Sequence, residues 1–317
     1  MSTTPNKLLE PKRYFLLRYE GLAMVQTMRE KLQLANPVYD AKLLQLLDHF
    51  TQQLQTLLIT TLQPTVPTIA ISFHTLEELE EGKQRILGTI PAITLDSYSR
   101  LANVFPLGVS RLYDENGEHK ICVGARPGYE SVEKQIQNLL ASTPIREFIL
   151  VDDDIWTGGT MKDIRNLLEK NGLTISGLVS GIQVVGNEEN IEAQAVVQIE
   201  KAQAFDIADP RDFLIGSQEG GLGILFANGV SGRAPYFKPF TNPTKHVGVP
   251  GELVIPFSKK LLEMNLEFYT ELENITQKQI RIEHLWPSFV TYIKEKYHID
   301  ESSAVIPAIE HLLKNIK

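Results

Sequence analysis

Phe148-Ile149-Leu150-Val151-Asp152-Asp153-Asp154-Ile155-Trp156-Thr157-Gly158-Gly159-Thr160 is the stretch that decides the fold. Residues 147–151 read as a buried strand that ends in two adjacent carboxylates, Asp152 and Asp153. Thr157-Gly158-Gly159-Thr160 turns the chain, and a helix predicted over about 160–170 closes on Asn171-Gly172. Residues 173–185 read as the next strand, with 195–199 as another. Strand, glycine turn, helix, strand is the βαβ unit of a parallel sheet, so the class is α/β.

The chemistry of the stretch has two halves. A glycine turn feeding a helix N-terminus presents free N–H groups and a positive dipole end to an anion, and threonine hydroxyls add donors. Carboxylates repel phosphate, so they must face hydroxyls, a metal-solvated group or a developing cation. A sugar phosphate satisfies both halves. A plain buried strand entering a glycine turn explains the hydrophobics and glycines, but not consecutive acids, whose burial costs repulsion and desolvation. A haloacid-dehalogenase-like phosphohydrolase also wants two aspartates one residue apart, as Asp152 and Asp154 are. Its motif places Thr or Val where Trp156 stands, and it has no use for Thr-Gly-Gly-Thr.

The segment resembles the signature of the type I phosphoribosyltransferases: four hydrophobics, two acids, three variable residues, then Thr-Gly-X-Thr. Every position is met over 148–160, and the surrounding βαβ pattern carries the resemblance to roughly 105–200. Asp154 stands where an aliphatic residue is commoner, and Trp156 is bulky for its place. The resemblance implies a Rossmann-like parallel sheet of the type I phosphoribosyltransferase kind, here with helical N- and C-terminal additions. It implies that Asp152 and Asp153 are the catalytic pair, touching the ribose 2′- and 3′-hydroxyls of phosphoribosyl pyrophosphate. Asp154, Trp156, Thr157, Gly158, Gly159 and Thr160 would then form the substrate-binding loop, with 157–160 on the 5′-phosphate. Mg²⁺ would be held mainly by substrate oxygens, with no direct protein ligand. The implied reaction moves a phosphoribosyl group to or from a nitrogenous base. The alternative is a regulator that senses phosphoribosyl pyrophosphate or a nucleotide without turnover. The family often forms homodimers.

Two family parts are harder to place. The loop that binds pyrophosphate normally follows an upstream strand, and the nearest position, 71–74, has no glycines. Instead, 212–222, with Gly220 and Gly221, has the look of such a loop. It either completes the pocket from the other side in a rearranged strand order or is a glycine-rich connection, and both readings stay open. The family's flexible covering hairpin would correspond to 108–128, where 107–113 and 119–123 flank Asp114-Glu115-Asn116-Gly117, a strong hairpin signal. Arg111 and Arg126 on it either meet the pyrophosphate or are ordinary surface arginines. Arg233, in the turn-rich stretch 229–236, is a further candidate for a phosphate or base contact.

Outward from this centre, Leu43, Leu47, Phe50, Leu54 and Leu57 mark an amphipathic helix over 40–63, with Asp40 as its N-cap and Pro64 and Pro67 ending it. A short strand over 67–73 follows, then a helix over 75–87 whose Glu77, Glu78, Glu80 and Glu81 read as a solvated face. A helix is expected over 131–140, and 259–273, 287–296 and 302–316 read as helices near the C-terminus. We therefore divide the chain into an accessory region (1–100), an α/β core (101–255) and a helical region (256–317). Whether the terminal regions form one layer or two is left open.

The bulk numbers narrow the function classes. With 43% apolar and 22% charged residues over 317 positions, the chain is a globular protein with a sizeable core. Its net charge of −8 argues against a general nucleic-acid binder, which needs a basic surface. Cys122 is the only cysteine, so it cannot form an internal disulfide and reads as a packing residue. Seven scattered histidines show no His-Glu-X-X-His pair, which argues against a zinc site. Residues 1–7 lack a signal-peptide pattern and no run of about 18 apolar residues occurs, so a cytoplasmic protein with a small-molecule substrate and no membrane partner is expected.

Overall fold

The computed structural model describes residues 11–18, 21–34, 36–66, 68–96, 99–186 and 191–316. Residues 1–7 and Pro67, whose sequence suggested the character of the chain start and a helix break, lie outside the described residues.

The chain opens with β1 (Lys12–Arg18), α1 (Gly21–Leu32) and α2 (Val38–Leu62). The expected apolar stripe buries Leu43, Leu47, Phe50 and Leu54 along one face of α2. Asp40 is not the cap of this helix. Pro37 precedes it, and Asp40 lies inside the first turn, where its carboxylate pairs with Arg29 at 3.1 Å. β2 (Ile69–Thr75) runs directly into α3 (Leu76–Leu87), which Thr75 and Glu78 start with a reciprocal capping box. Glu77, Glu78 and Glu81 are exposed as expected, but Glu80 is buried. Helical spacing explains the exception, because Glu80 falls on the stripe of Leu76, Leu79, Lys83 and Leu87.

The middle of the chain holds β3 (Ala92–Thr94), β4 (Val104–Pro106), β5 (Val109–Tyr113), β6 (Lys120–Ala125) and α4 (Val132–Ser142). β7 (Glu147–Ile155), α5 (Gly159–Lys170), β8 (Thr174–Val185) and β9 (Gln194–Glu200) follow. Then come β10 (Ala204–Ala208), β11 (Leu222–Leu225), β12 (Ser231–Ala234) and the short α6 (Pro243–Val247). α7 (Val254–Thr276), α8 (Pro287–Tyr297) and α9 (Val305–Asn315) end the described chain. Among the described residues no helix is long and apolar enough to cross a membrane.

The fold is α/β with parallel sheets. A five-stranded sheet runs β4-β3-β7-β8-β9, all parallel. A three-stranded sheet runs β10-β1-β2, also parallel. A four-stranded sheet runs β12-β11-β5-β6, parallel only between β11 and β5. α4 and α5 cover one face of the five-stranded sheet, burying Ile136, Ile164 and Leu168 with Phe148 and Leu150. α3 covers the other face through Leu79 against Ile182 and Val184. The terminal helices form one layer: residues of α1 and α2 share a core with Phe213, Phe237 and the side chains of α7, α8 and α9.

Two sequence expectations change here. β3 lies within 1–100 yet pairs with β7 (Ala92↔Ile149, Thr94↔Val151), so this stretch supplies a strand of the central sheet. Residues 69–75, the nearest upstream candidate by sequence, belong to the three-stranded sheet instead. Three residues are too few to show periodicity, which is why β3 was invisible. The 108–128 hairpin, expected as a flexible cover, is built into the four-stranded sheet, with β5 paired to β11. Its tip is tied down as well. His246 Nε2 donates to Gly117 O at 2.8 Å, Lys296 donates to Asn116 Oδ1 at 3.1 Å, and Lys245 pairs with Glu118.

Candidate functional site

The carboxyl end of β7 opens into a cavity of about 540 Å³, whose opposite wall is built by β10, the turn after it, β12 and α6. Carboxyl ends of parallel strands are where open α/β sheets place ligands.

The signature residues sit at this mouth. β7 does not stop at Val151 but stays paired with β8 through the acids, Asp152 opposite Ser180 and Asp154 opposite Ile182. Side chains alternate along a strand, so Asp152 and Asp154 share one side and Asp153 takes the other. The charges around them follow that split. Arg111 of β5 interacts with Asp154 and Asp152, whereas Lys83 and Arg126 interact with Asp153. Burial, and then the neighbouring Asp153 charge, push both the Asp152 and the Asp154 carboxyls well above the usual range. Trp156 lines the cavity and packs against the cluster of Leu76, Leu79 and Ile182.

Thr157, Gly158, Gly159 and Thr160 also line the cavity. Gly158 precedes α5 with φ of +80°, and a Cβ there would sit 2.3 Å from Ile191 Cγ2, so conformation and space both require glycine. No side chain caps α5, which leaves its first-turn N–H groups for the cavity.

Arg111, Arg126 and Arg233 all line this one cavity. Arg126 donates to Glu219 at 2.8 Å and to Leu95 O at 2.8 Å, and Tyr129 donates to the other Glu219 oxygen at 2.9 Å. Arg233 donates to the carbonyls of Gly220 (3.1 Å) and Gly221 (2.5 Å), while its Nη1 is buried with no partner. The Arg111 side chain makes no hydrogen bond or ion pair among the described residues and is solvent-exposed within the cavity. The surrounding protein alone would lower its pKa, but Tyr236, Tyr113, Asp154 and Asp152 outweigh that and hold it raised.

The 212–222 segment is a glycine-rich connection that also borders the cavity. It is a tight connection, because a Cβ on Gly220 would lie 2.1 Å from Arg211 O and one on Gly221 (φ +83°) 2.2 Å from Ala234 O. It is also a cavity wall, to which Asp212, Glu219 and Gly221 contribute. Gly220 does not itself line the cavity; its carbonyl accepts from Arg233, which does.

Several lining residues escaped the sequence reading. Asp96, just past β3, accompanies Asp153 at the cavity. Behind it, fully buried Lys83 pairs with Glu80 at 2.5 Å and Asp96 at 3.6 Å. Burial lowers the Lys83 pKa, yet Asp96 and Glu80 more than offset this and the net shift is upward. Glu80 Oε2 also accepts from Ser99 Oγ and Arg100 N, so α3 holds the chain that follows β3. On the far wall stand Asp206, Asp209 and Asp212. Burial pushes the Asp206 carboxyl up to about 7, and it pushes Asp209 up to about 7 despite the ion pair with Arg211 at 2.7 Å. Asp206 within β10 and Asp209 and Asp212 after it recur at every third residue, and that run of acids was the available signal. Tyr113, Tyr236 and His246 complete the wall as a ring cluster, Tyr236 stacked on His246 at 5.6 Å and Tyr113 edge-on at 5.3 Å.

Among solved structures, a hypoxanthine phosphoribosyltransferase from Staphylococcus aureus is similar to part of this chain. The TM-score is 0.27 and the identity 14%, over 39% of this chain and 74% of that one. No protein-family model matches the chain, and no curated protein matches it.

Proposed function

We propose that the cavity binds phosphoribosyl pyrophosphate and that the protein is a phosphoribosyltransferase, with a Rossmann-like core of the type I kind. One observation carries this: a complete 148–160 signature whose carboxylates, glycine turn and uncapped helix N-terminus all border a single cavity. The first turn of α5, with Thr157 and Thr160, takes the 5′-phosphate. Asp152 and Asp153 take the ribose hydroxyls and oppose the positive charge that grows at C1′ as pyrophosphate leaves. Arg111 and Arg126 face the pyrophosphate.

The residues fit magnesium that arrives with the substrate. The cavity crowds carboxylates, and burial with the neighbouring Asp153 charge raises both Asp152 and Asp154. A divalent cation would offset the charge that a pyrophosphate adds to them. Thr94 at the end of β3 pairs with Val151 of β7, and Leu95 and Asp96 beyond it line the cavity, a placement that serves turnover and sensing alike.

Calorimetric titration with phosphoribosyl pyrophosphate and magnesium tests the proposal, beside an Asp152→Asn/Asp153→Asn double variant. Magnesium-dependent binding that the variant loses supports it. No binding to folded wild type rules it out.

A further inference from the structure

The wall facing the signature has its own chemistry, and the role inferred for it rests on the cavity being a phosphoribosyltransferase site. Asp206 projects from β10 with Oδ1 held by Ile207 N at 2.8 Å, and it has no ion pair among the described residues. Gly248 leaves room beside it: a Cβ there would lie 3.5 Å from Asp206 Oδ2 and 2.9 Å from the Phe205 ring. Phe205, Tyr113, Tyr236 and His246 surround the same space with ring faces and edges. His246 Nε2 is committed to Gly117 O, so the imidazole is fixed in place.

A second, separate feature marks this wall. Tyr14 is fully buried and its hydroxyl has no hydrogen-bond partner. It pairs in register with Asp206 across β1 and β10, so the two side chains share a face of that sheet. Tyr14 does not itself line the cavity, but burial and the Asp206 charge together hold its hydroxyl in the protonated form behind the wall. Arg111 spans the gap between the walls, within interaction range of Asp152, Asp154 and Asp206 together.

We propose that Asp206 and the rings of Phe205, Tyr113, Tyr236 and His246 form the acceptor subsite, and that it takes an uncharged planar nitrogen heterocycle through a ring N–H. The heterocycle stacks on the aromatic wall and donates its N–H to Asp206. Its nitrogen lone pair then bonds to C1′ as the C1′–O bond breaks and pyrophosphate leaves with that electron pair. The N–H proton passes to the Asp206 carboxylate and from there to water. Protonation near neutrality suits such a base. Burial raises the Asp206 pKa, and the Ile207 N–H, Asp212 and Arg111 act on it, with Tyr14 on the same sheet face and His246 and Lys245 of α6 lining the same cavity. Asp206, Asp212 and Asp154 together repel an acceptor that carries its own carboxylate.

The test uses the full-length protein loaded with magnesium and phosphoribosyl pyrophosphate, titrated calorimetrically with adenine, hypoxanthine, uracil and orotate. At least one uncharged base binds and carboxylated orotate does not. Asp206→Asn weakens that binding tenfold or more and leaves magnesium phosphoribosyl pyrophosphate affinity within twofold. Pyrophosphate release by this variant falls at least a hundredfold and loses its rise with pH, and Asp206→Glu recovers part of it. Binding of orotate, binding of none of the four, or an Asp206→Asn variant equal to wild type overturns the proposal. If Asp206→Asn does not fold, the wild-type preference for uncharged bases over orotate decides alone. Failure of the wild type to bind magnesium phosphoribosyl pyrophosphate would instead sink the function on which this rests.

Discussion

Lys83 Nζ lies 3.6 Å from Asp96 Oδ2, with both side chains almost wholly buried. Glu80 closes the pair from the same helix at 2.5 Å, so α3 grips the turn after β3 by charge as well as by packing. A buried ion pair adds little net stability, but breaking one strands its partner.

Lys83→Met should therefore destabilise the protein by about 3–5 kcal/mol near neutral pH, since Glu80 and Asp96 lose their shared cation. Denaturant melts beside a Lys83→Arg variant, which keeps the cation, check this. A Lys83→Met deficit no larger than that of Lys83→Arg would mean that disturbed packing, not stranded charge, is the cause.

Asp154 should matter as much as the pair named by the family pattern. It shares its side of β7 with Asp152 and faces the same Arg111. Asp154→Asn is expected to weaken magnesium phosphoribosyl pyrophosphate binding by tenfold or more, about 1.4 kcal/mol. Titration of Asp152→Asn, Asp153→Asn and Asp154→Asn in parallel ranks the three.

The far wall makes stability depend on pH. Asp206 and Asp209 have folded pKa values raised to about 7, above the unfolded carboxylate, so the folded state holds more protons between roughly pH 4 and 7. Stability from these groups is greatest below that window and falls as pH rises through it. The melting temperature should drop by several degrees from pH 6 to pH 8 in magnesium-free buffer, and Asp206→Asn should flatten the drop. A melting temperature that rises over this range would contradict the assignment.

Gly221→Ala should cost about 1–3 kcal/mol, the range for a residue forced into a sparsely populated backbone conformation. The added Cβ would also push on Ala234 O, next to Arg233. Lower phosphoribosyl pyrophosphate affinity in a variant that remains folded would tie the glycine to the site through Arg233. Unchanged affinity would confine its role to packing.

The signature strand, its glycine turn and the α5–β8 unit were legible because each carries a strong local pattern. A 3.6 or 2.0 period, a helix-stopping Asn171-Gly172 and paired acids all speak within a dozen residues. β3 was not legible, since three residues show no period. The Lys83 and Glu80 contacts were hidden for another reason. A run of acids on a helix looks solvated until the neighbour that buries one of them is known. The far wall was the largest omission. Asp206, Tyr236 and His246 come from separate segments, and what unites them is long-range pairing of β10 with β1 and of β11 with β5.

That pairing has a bearing on biosynthesis. β1 is the middle strand of its sheet, yet one of its two partners, β10, lies some two hundred residues later. As the chain leaves the ribosome, 148–160 can be complete and correctly set in its own sheet while one edge of β1 still awaits residues 204–208. A nascent or prematurely terminated product ending near residue 200 would thus carry every residue of the signature and only half a binding cleft.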